Sequence, residues 1–514
     1  MNRFIISLLL LLSFTLRGEQ TYTNPIIHAD FSDPDLIRVG DDYWMVASSF
    51  TAMPGIPVLH SRNLVDWEIV SYVYETLPFG PYDRPSHGQG SWAPSIRYNE
   101  GKYYVYFCTP DEGLFVAVAT DPRGPWQLSQ MVETAKWEDP CPFWDDDGKA
   151  YLVRSKHRGG PAIIHRMSQD GLRLLDDGVT VYCDTIANPV LEGPKMMKRD
   201  GWYYILAPAG GVADGWQTVL RSRSVYGPYE ARRVLQQGDT DINGPHQGGL
   251  VDTPDGSEWW FIHFQSKGIH GRIINLQPAR FTADGWIEMG ADGLPVSSFR
   301  RPAGGIDASA PPRTIQTSDE FSDSVMGLQW QWQANPHSEW SSLTARRGWL
   351  RLYSQSCVTE EGNIYYSPSL LLQKLPAERF TATALIHPTL TDSLTRVGLT
   401  MFGQEYSYIA IQSGRICVVT GRGDKRFPVS LRTIASDVIT DGKPIWLRVE
   451  LLSDDKCQYS YSIDGERFTP LGPSCNVAPG VWVGAKVGLF CLTPSVVPSA
   501  SYADIDYFRI QPIQ

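Results

Sequence analysis

The sequence predicts an all-β protein in which a five-bladed β-propeller is followed by a β-sandwich. Turn-forming residues are abundant, with 46 glycines and 37 prolines among 514 residues, which favours many short strands over long helices. One turn-and-strand pattern recurs five times, at intervals of about 50 residues. A break rich in proline follows these repeats, and beyond it the chain alternates polar and apolar residues in short segments.

The repeated pattern predicts the propeller. Each copy is a turn containing aspartate or glycine followed by an aromatic-rich segment, which is a sequence signal of a β-hairpin. A period of about 50 residues matches one four-stranded blade, whereas immunoglobulin-like domains would repeat at about 100 residues. Five blades therefore fit residues 22–305. The five copies are 40–46, 100–106, 147–153, 200–205 and 255–261.

The last third of the chain predicts one large two-sheet domain. Prolines and glycines interrupt any pattern between residues 301 and 318. In residues 318–514, polar and apolar residues then alternate over short segments, such as 349–353 and 445–451. Such segments are typical of the strands of a β-sandwich.

The N-terminus predicts an exported protein. Residues 1–18 combine a basic start with a short apolar core, which is typical of a secretory signal peptide and too short to span a bilayer. No later segment reaches the length of a membrane span. We therefore expect a soluble mature protein that is secreted or periplasmic.

The eight cysteines indicate no metal or redox motif, because none are spaced as C-x-x-C. Export permits disulfides, but a chain of this length does not need them. We expect most of these cysteines to be free core residues, with one bridge in the last third as an open alternative.

Composition argues against one class of partner and suggests another. The formal net charge of −11 argues against a surface that binds nucleic acid. The 17 tryptophans, 24 tyrosines and 19 phenylalanines could stack on sugar faces or could form an ordinary β-core. Many of these rings fall in the five hairpin strands, where packing between blades accounts for them. Composition alone therefore does not establish a carbohydrate substrate.

Acidic residues precede the predicted hairpins at equivalent places. The innermost strand of each blade lines the central channel of a propeller, and the segments before the hairpins are predicted to be those strands. Four of the five segments place an acid or a histidine beside proline or glycine, and acids from blades one, three and four would converge on one cavity. The segments are 30–35, 89–95, 138–142, 191–195 and 244–248.

Such a set of carboxyl groups suits the hydrolysis of a glycosidic bond. One carboxylate activates water, and one carboxylic acid protonates the leaving oxygen. A third acid nearby raises the proton affinity of the second through like-charge repulsion. A single acid beside proline more often caps a strand or fixes a turn, but three at equivalent blade positions favour the catalytic interpretation.

The ordered motifs resemble those of glycoside hydrolase family 43, in particular its two-domain β-xylosidase and α-L-arabinofuranosidase branch. The resemblance covers essentially the whole chain after the predicted signal peptide. It rests on Asp33-Pro34-Asp35, Trp92-Ala93-Pro94, Asp139-Pro140-Cys141-Pro142 and Leu191-Glu192-Gly193-Pro194-Lys195.

The resemblance implies an inverting acid–base pair and a third acid. Asp33 matches the family's general base, Glu192 its general acid, and Asp139 its pKa-modulating and orienting acid. Asp30 and Asp35 flank Asp33 and are predicted to serve the turn.

Further residues follow from the same resemblance. Arg272 matches an arginine that contacts the modulating acid or the sugar, with a structural ion pair as the alternative. Trp92, through the family motif, and Phe50, mainly through its position in the sequence, are candidate sugar platforms, with wall packing as the alternative. His246 is a candidate substrate-binding residue. It matches a histidine that in some members faces a central calcium or a water cluster, so a structural calcium is one option and a core histidine is the other. The reaction requires no cofactor.

The C-terminal region resembles the family's accessory concanavalin-like jelly roll, a loop of which narrows the catalytic pocket in related enzymes. An independent sugar-binding module is the alternative.

The predicted function is that of an exo-acting inverting glycoside hydrolase, which releases terminal xylose from xylo-oligosaccharides of plant hemicellulose. The alternative within the family is an α-L-arabinofuranosidase acting on arabinoxylan or pectic side chains. Two other classes stay open: a non-catalytic glycan-binding protein on the same scaffold, and a fructosyl-transferring propeller enzyme that retains configuration. The sequence leaves the oligomeric state open.

Overall fold

The computed structural model describes residues 20–134, 136–307, 311–357, 359, 362–423, 431–438, 442–497 and 499–513. Residues 1–18, predicted to be a signal peptide, lie outside them. Within the described residues the chain forms 38 β-strands, numbered in chain order, and three short 3-10 helices, at Gly80–Asp83, Gly268–His270 and Ile364–Tyr366. No helix in this part of the chain is long and apolar enough to cross a membrane. The all-β prediction is confirmed.

The N-terminal region is a five-bladed propeller, and each blade is a four-stranded sheet whose strands follow one another in chain order. Strand β1 (Thr21–Thr23) precedes blade one, which contains β2 (Asp35–Val39), β3 (Asp42–Val46), β4 (Gly55–Ser61) and β5 (Glu68–Tyr74). Blade two contains β6 (Trp92–Asn99), β7 (Lys102–Thr109), β8 (Gly113–Ala119) and β9 (Gln127–Val132). Blade three contains β10 (Trp137–Trp144), β11 (Ala150–Lys156), β12 (Ala162–Met167) and β13 (Val179–Tyr182).

Blades four and five have the same antiparallel order. Blade four contains β14 (Lys195–Arg199), β15 (Trp202–Ala209), β16 (Trp216–Ser222) and β17 (Glu230–Gln236). Blade five contains β18 (His246–Asp252), β19 (Trp259–Ser266), β20 (Arg272–Phe281) and β21 (Ile287–Met289).

The repeated sequence pattern marks the same place in every blade. Each copy supplies the turn between the first and second strands, at residues 40–41, 100–101, 145–149, 200–201 and 253–258. The glycines of these five turns have φ between +64° and +80°, a left-handed conformation that glycine adopts without steric cost. The pattern therefore predicted the blades because the turn residues meet a local backbone requirement.

Apolar side chains pack between successive blades. Tyr43 and Trp260 belong to a cluster between blades one and five, while Trp44 and Phe107 belong to a cluster between blades one and two. The described residues contain five such clusters, one for each interface between neighbouring blades. Most aromatic rings of the hairpin strands are thus core residues.

The segment before blade one closes the ring by pairing with blade five. Ile26 N donates a hydrogen bond to Ile274 O at 2.9 Å. The Asn24 side-chain amide donates to Leu276 O, also at 2.9 Å. Strand β1 pairs with β22 (Ser298–Arg300), which follows blade five. Each blade is built from one continuous stretch of chain, so none of the blades itself joins the two ends of the propeller. The contacts described here hold these ends together.

The C-terminal region forms two packed sheets of eight strands each, as predicted. The first sheet contains β23 (Gln331–Trp332), β26 (Gln355–Ser356), β27 (Leu371–Lys374), β29 (Arg396–Phe402), β30 (Glu405–Gln412), β31 (Arg415–Arg422), β32 (Arg432–Val438) and β37 (Lys486–Thr493). The second contains β24 (Ser341–Ser342), β25 (Leu350–Tyr353), β28 (Phe380–Thr389), β33 (Ile445–Leu451), β34 (Lys456–Ser462), β35 (Thr469–Pro470), β36 (Cys475–Asn476) and β38 (Tyr502–Pro512). Residues of both sheets, including Leu399 and Leu447, share one apolar core.

The sandwich packs directly against blade one and the loop that follows it. Met53 and Trp332 exchange backbone hydrogen bonds, with Met53 N donating to Trp332 O at 2.9 Å. The Asn335 side chain accepts from Leu77 N at 3.0 Å and donates to Leu77 O at 2.9 Å. Paired contacts of this kind fix the orientation of one domain on the other.

All eight cysteines are free. Cys457 and Cys475 are cross-strand neighbours on β34 and β36 but form no bridge. The structure therefore does not realise the alternative of one disulfide in the last third of the chain.

Candidate active site

The first strand of every blade is preceded, or begun, by one residue with a left-handed backbone. Register shifts accompany this residue in blades two, three and five, where pairing with the second strand slips. Such bulges re-aim side chains and are frequent beside active sites. The five residues, with their φ values, are Asp33 (+54°), Ala93 (+33°), Asp139 (+54°), Gly193 (+58°) and Gln247 (+35°).

The residues just before these five are equivalent to one another as well. Trp92, Glu138 and Glu192 line one pocket, together with Asp33 and Asp139. The other two equivalent residues serve the same site, because Ser32 donates a hydrogen bond to Asp33 and His246 lies against Glu192. The five residues that directly precede the left-handed residues are Ser32, Trp92, Glu138, Glu192 and His246.

The pocket between these side chains has a volume of about 840 Å³. Small-molecule sites commonly have volumes of this order. All five blades contribute to its lining, and Val481 and Trp482 of the sandwich complete the wall. A loop of the second domain therefore narrows the pocket, which favours the accessory role of the sandwich over an independent module.

Asp33 is buried at the floor of the pocket and is held by three side chains. Its Oδ2 accepts hydrogen bonds from Ser32 Oγ and Ser48 Oγ, both at 2.7 Å. Arg272 Nη1 lies 3.0 Å from Asp33 Oδ1. The carboxylate is thus fixed in one orientation, with a cation beside it.

Asp139 connects blade three to the segment that carries Glu192. Its Oδ2 accepts hydrogen bonds from Ser155 Oγ at 2.9 Å and from Gly193 N at 2.7 Å. Burial and the charge of Glu192 raise the pKa of Asp139 to about 6, while the Gly193 N–H and Lys195 oppose this shift. Asp139 and Glu192 are therefore linked by the hydrogen bond from Gly193 N and by the repulsion between their charges.

Glu192 is the most accessible of the three predicted catalytic acids. Its side chain is 19% exposed, compared with 7% for Asp33. His246 Nε2 lies 3.0 Å from Glu192 Oε1, and the His246 ring is fully buried. An acid with this access can reach a leaving-group oxygen in the pocket.

The surroundings of His246 do not fit the calcium option. Calcium prefers six to eight oxygen ligands, and His246 offers a ring nitrogen beside one carboxylate. In the part of the chain that the structure describes, no group of three or more His, Cys, Asp or Glu side chains could hold a metal ion.

The two predicted aromatic platforms both line the pocket. The rings of Phe50 and Trp92 lie 6.4 Å apart, centroid to centroid. The Trp92 indole N–H donates to Gly88 O at 3.1 Å, which fixes the ring. The His157 ring lies nearly parallel to Trp92, with the ring centroids 6.2 Å apart.

Arg272 contacts Asp33. One option of the sequence prediction was a contact of Arg272 with the modulating acid Asp139, and the structure shows Asp33 in its place. Its guanidinium also lies 5.0 Å from the ring of Phe264. Because Arg272 lines the pocket as well, the alternative of a contact with sugar is geometrically open.

Asp35 is not among the residues that line the pocket, and its side chain binds blade two. Its Oδ2 accepts from Arg97 Nη1 at 2.6 Å and from Ile96 N at 2.9 Å, and Arg97 Nη2 in turn donates to Cys141 Sγ at 2.9 Å. The prediction that Asp35 serves its own turn is wrong, because its partners belong to blade two.

Asp30 also binds residues far along the chain instead of its own turn. Its Oδ1 accepts from Arg272 N and its Oδ2 from Gly484 N, each at 2.9 Å. One carboxylate therefore joins blade five to the sandwich.

Sequence reasoning missed several residues of the pocket. Glu138 and Gln247 carried a usable signal, since each stands at the same offset in its blade as a predicted site residue. His157 follows the second strand of blade three and carried no signal. Val481 and Trp482 could not be found either, because they reach the pocket from the other domain.

Two family models match the two domains of the chain. Residues 22–287 match the model for glycosyl hydrolases family 43. Residues 318–511 match the model for the beta-xylosidase C-terminal concanavalin A-like domain.

Relatives span nearly the whole chain. A Xylanibacter ruminicola protein assigned as a beta-xylosidase is 43% identical over 93% of this chain and 87% of its own length. A beta-xylosidase of Formosa agariphila is 32% identical over 96% of this chain and 90% of its own. The crystal structure of the family 43 protein BlXynB from Bacillus licheniformis superposes with a TM-score of 0.83 at 25% identity, covering 96% of this chain and all of the other.

Fold, pocket and likeness together define a two-domain glycosidase that hydrolyses O-glycosyl bonds. The chain belongs to glycoside hydrolase family 43, whose members need no cofactor for catalysis.

Proposed function

We propose that the protein is a β-xylosidase that removes xylose from the ends of xylo-oligosaccharides with inversion of configuration. The observation that carries this proposal is the convergence of Asp33, Asp139 and Glu192 on one pocket. The relatives at 43% and 32% identity that bear the name beta-xylosidase support xylose as the sugar released.

Each acid has a role that its surroundings suit. Asp33, held by Ser48 and Arg272, removes a proton from the attacking water. Glu192, the accessible acid, protonates the leaving oxygen. Asp139 orients the segment of Glu192 through its hydrogen bond with Gly193 N.

Action at chain ends is supported by the shape of the pocket. Val481 and Trp482 of the sandwich add to the wall that the five blades form around the carboxyl groups. A substrate chain can then place its terminal residue in the pocket more readily than an internal one.

Arabinofuranosidase activity is a second candidate, favoured by one relative. A Bacteroides ovatus protein named non-reducing end alpha-L-arabinofuranosidase is 27% identical over 96% of this chain. Initial rates on an aryl β-D-xyloside and an aryl α-L-arabinofuranoside decide between the two sugars. Preference for the arabinofuranoside would overturn the proposed sugar and leave the mechanism intact.

The acid–base roles are tested by Asp33→Asn and Glu192→Gln. Each should lower kcat on a xylo-oligosaccharide by about 10²- to 10⁴-fold, because one proton transfer is lost, with an unchanged circular dichroism spectrum. Proton NMR of the first product should show the α-anomer of xylose. Turnover like that of the wild type in either variant would overturn the roles, and a β-anomer would indicate the retaining class.

A further outcome would indicate another class of protein. Binding of xylo-oligosaccharides by the wild type without release of free pentose would favour the non-catalytic glycan-binding alternative.

Export from the cytoplasm is part of the same proposal. It rests on the basic and apolar pattern of residues 1–18. N-terminal sequencing of the protein recovered outside the cytoplasm should find these residues removed, and a retained Met1 would contradict it.

A further inference from the structure

Glu138 has a position in the propeller that nothing in the acid–base scheme uses. It stands directly before the left-handed residue of blade three, as Glu192 does in blade four and Trp92 in blade two. All three side chains line the pocket. Since the other two positions carry a candidate acid and a candidate sugar platform, the fold presents Glu138 to the same ligand.

Glu138 is held so that one carboxyl oxygen is fixed and the other is available. Its Oε2 accepts from Arg158 N at 2.7 Å and from Gly159 N at 3.4 Å. Its Oε1 lies 2.9 Å from His157 Nδ1, but the ring nitrogen is not aligned for a hydrogen bond. His157 is in turn stacked on Trp92.

The charge state of Glu138 suits a hydrogen bond with a hydroxyl group. Burial and the charge of Asp139 raise the pKa of Glu138 to about 8, so that the carboxyl is protonated near neutral pH. Burial, Arg158 and Lys136 lower the pKa of His157, which leaves its ring neutral. A neutral carboxylic acid can both donate to and accept from a sugar hydroxyl.

We propose that Glu138 is a substrate-binding residue, whose carboxyl group hydrogen-bonds one ring hydroxyl of the pentose and so contributes to the choice of sugar. This inference rests on the proposed function, since it takes the ligand to be a pentoside. The competing explanation is that Glu138 only pins the loop at residues 157–160 through its bonds with Arg158 N and Gly159 N.

A cycle of enzyme and substrate variants separates these explanations. Glu138→Gln retains a donor and an acceptor of the same shape, and Glu138→Ala removes both. Each enzyme is assayed on the aryl β-xyloside and on its 2-, 3- and 4-deoxy analogues. The wild type should lose about 10-fold or more in kcat/KM on one deoxy analogue, as expected for an unpaired buried polar group.

In Glu138→Ala the difference in kcat/KM between the parent xyloside and that deoxy analogue should disappear. Glu138→Gln should retain most of this difference at neutral pH. Equal losses for Glu138→Ala on the parent and on every deoxy analogue would overturn the proposal and leave Glu138 as a loop support. The matched control is Glu258→Ala, which removes a part-buried glutamate of blade five that accepts from Trp260 and Ala303 N outside the pocket. Its discrimination should equal that of the wild type.

Failure of the proposed function is visible separately. An enzyme that cleaves the arabinofuranoside instead is assayed with the deoxy analogues of that sugar, and the same criteria apply. A wild type that cleaves no aryl pentoside overturns both proposals, because Glu138 then has no pentose to bind.

Discussion

At the scale of single residues, burial sets the charges of this pocket more than residue type does. The neighbours Glu138 and Asp139 have pKa values raised to about 8 and about 6, in each case chiefly by burial. The sequence pointed to Asp139 and Glu192 because they stand beside proline or glycine in a recurring pattern. It could not predict the raised pKa of Asp139, since the burying residues come from distant parts of the chain.

Replacing Glu138 by glutamine should change how stability depends on pH. The pKa of Glu138 is raised to about 8 in the folded protein, while an unfolded glutamic acid has a pKa of about 4.3. Between these values the folded protein holds a proton that the unfolded chain has released, so wild-type stability falls as pH rises. Glu138→Gln removes this contribution. Its Tm relative to the wild type should therefore increase from about pH 5 to about pH 8 and then level off.

Differential scanning calorimetry at several pH values measures this difference. A Tm difference independent of pH would mean that Glu138 is already ionised in the folded protein at neutral pH.

The charge of Lys195 should influence the pKa of Asp139. This buried lysine donates to Ser95 Oγ at 2.8 Å, and its charge lowers the pKa of Asp139. In Lys195→Met the pKa of Asp139 should rise above its present value of about 6. If ionised Asp139 is needed for turnover, the acidic limb of the pH profile of kcat/KM should move to higher pH.

The control is Lys198→Met on the same strand. Lys198 binds Asp145, and neither residue lines the pocket, so the loss of Lys198 should leave the acidic limb in place. An unmoved limb in Lys195→Met as well would exclude Asp139 as the group that this limb reports.

At the scale of elements, the blades were predictable and the shape of the site was not. The hairpin turns require glycine or aspartate locally, and the sequence shows them. The left-handed conformations of Ala93 and Gln247 have no such signal, because neither residue type favours a positive φ. Of the 17 described non-glycine residues with positive φ, nine line the pocket. Backbone strain of this kind gathers at functional sites, where the surrounding structure maintains it.

Gly193→Ala should damage the site through the backbone. Gly193 has φ of +58°, and an added Cβ would lie 2.6 Å from Gln247 Cγ. The shift would disturb the Gly193 N–H bond to Asp139 and the placement of Glu192. Since misplacement by about 1 Å can cost about 10²-fold, kcat/KM on the aryl xyloside should fall by that order.

Gly40→Ala is the matched control, because Gly40 has φ of +64° and no atom within 4 Å of an added Cβ. It should lose about 1–2 kcal/mol of stability for the left-handed conformation and retain full activity. Full activity in Gly193→Ala would show that the Glu192 segment tolerates displacement.

At the scale of the whole molecule, the two domains share one site. The proline-rich break in the sequence predicted two domains. It did not predict that both domains would build the pocket, since this depends on a close backbone contact between them. A Cβ on Gly484 of the sandwich would lie 2.7 Å from Gly271 N of blade five. Asp30 bridges the same place by accepting from Gly484 N and Arg272 N.

Asp30→Asn should weaken this junction and the site together. Burial lowers the pKa of both Lys374 and Lys486, and the charge of Asp30 opposes this. The asparagine removes that charge and can accept only through one oxygen, so Gly484 and Arg272 should lose their fixed positions. We expect a lower Tm, a raised KM and a kcat/KM lower by roughly 10-fold on the aryl xyloside.

Asp145→Asn provides the control for general destabilisation. Asp145 is buried and binds Lys198 in blades three and four, far from the junction. Its loss should lower Tm while kcat/KM stays unchanged. If Asp30→Asn behaves in the same way, the junction stabilises the fold without positioning the site.

The proposed action at chain ends has a consequence for the order of events in turnover. A chain bound by its end places its terminal sugar innermost in the pocket that Val481 and Trp482 help to enclose. The shortened chain must leave before the freed sugar behind it can escape. Turnover is then distributive, with a new encounter for every bond cut, and accumulating pentose should act as a competitive inhibitor that slows the last stages of digestion.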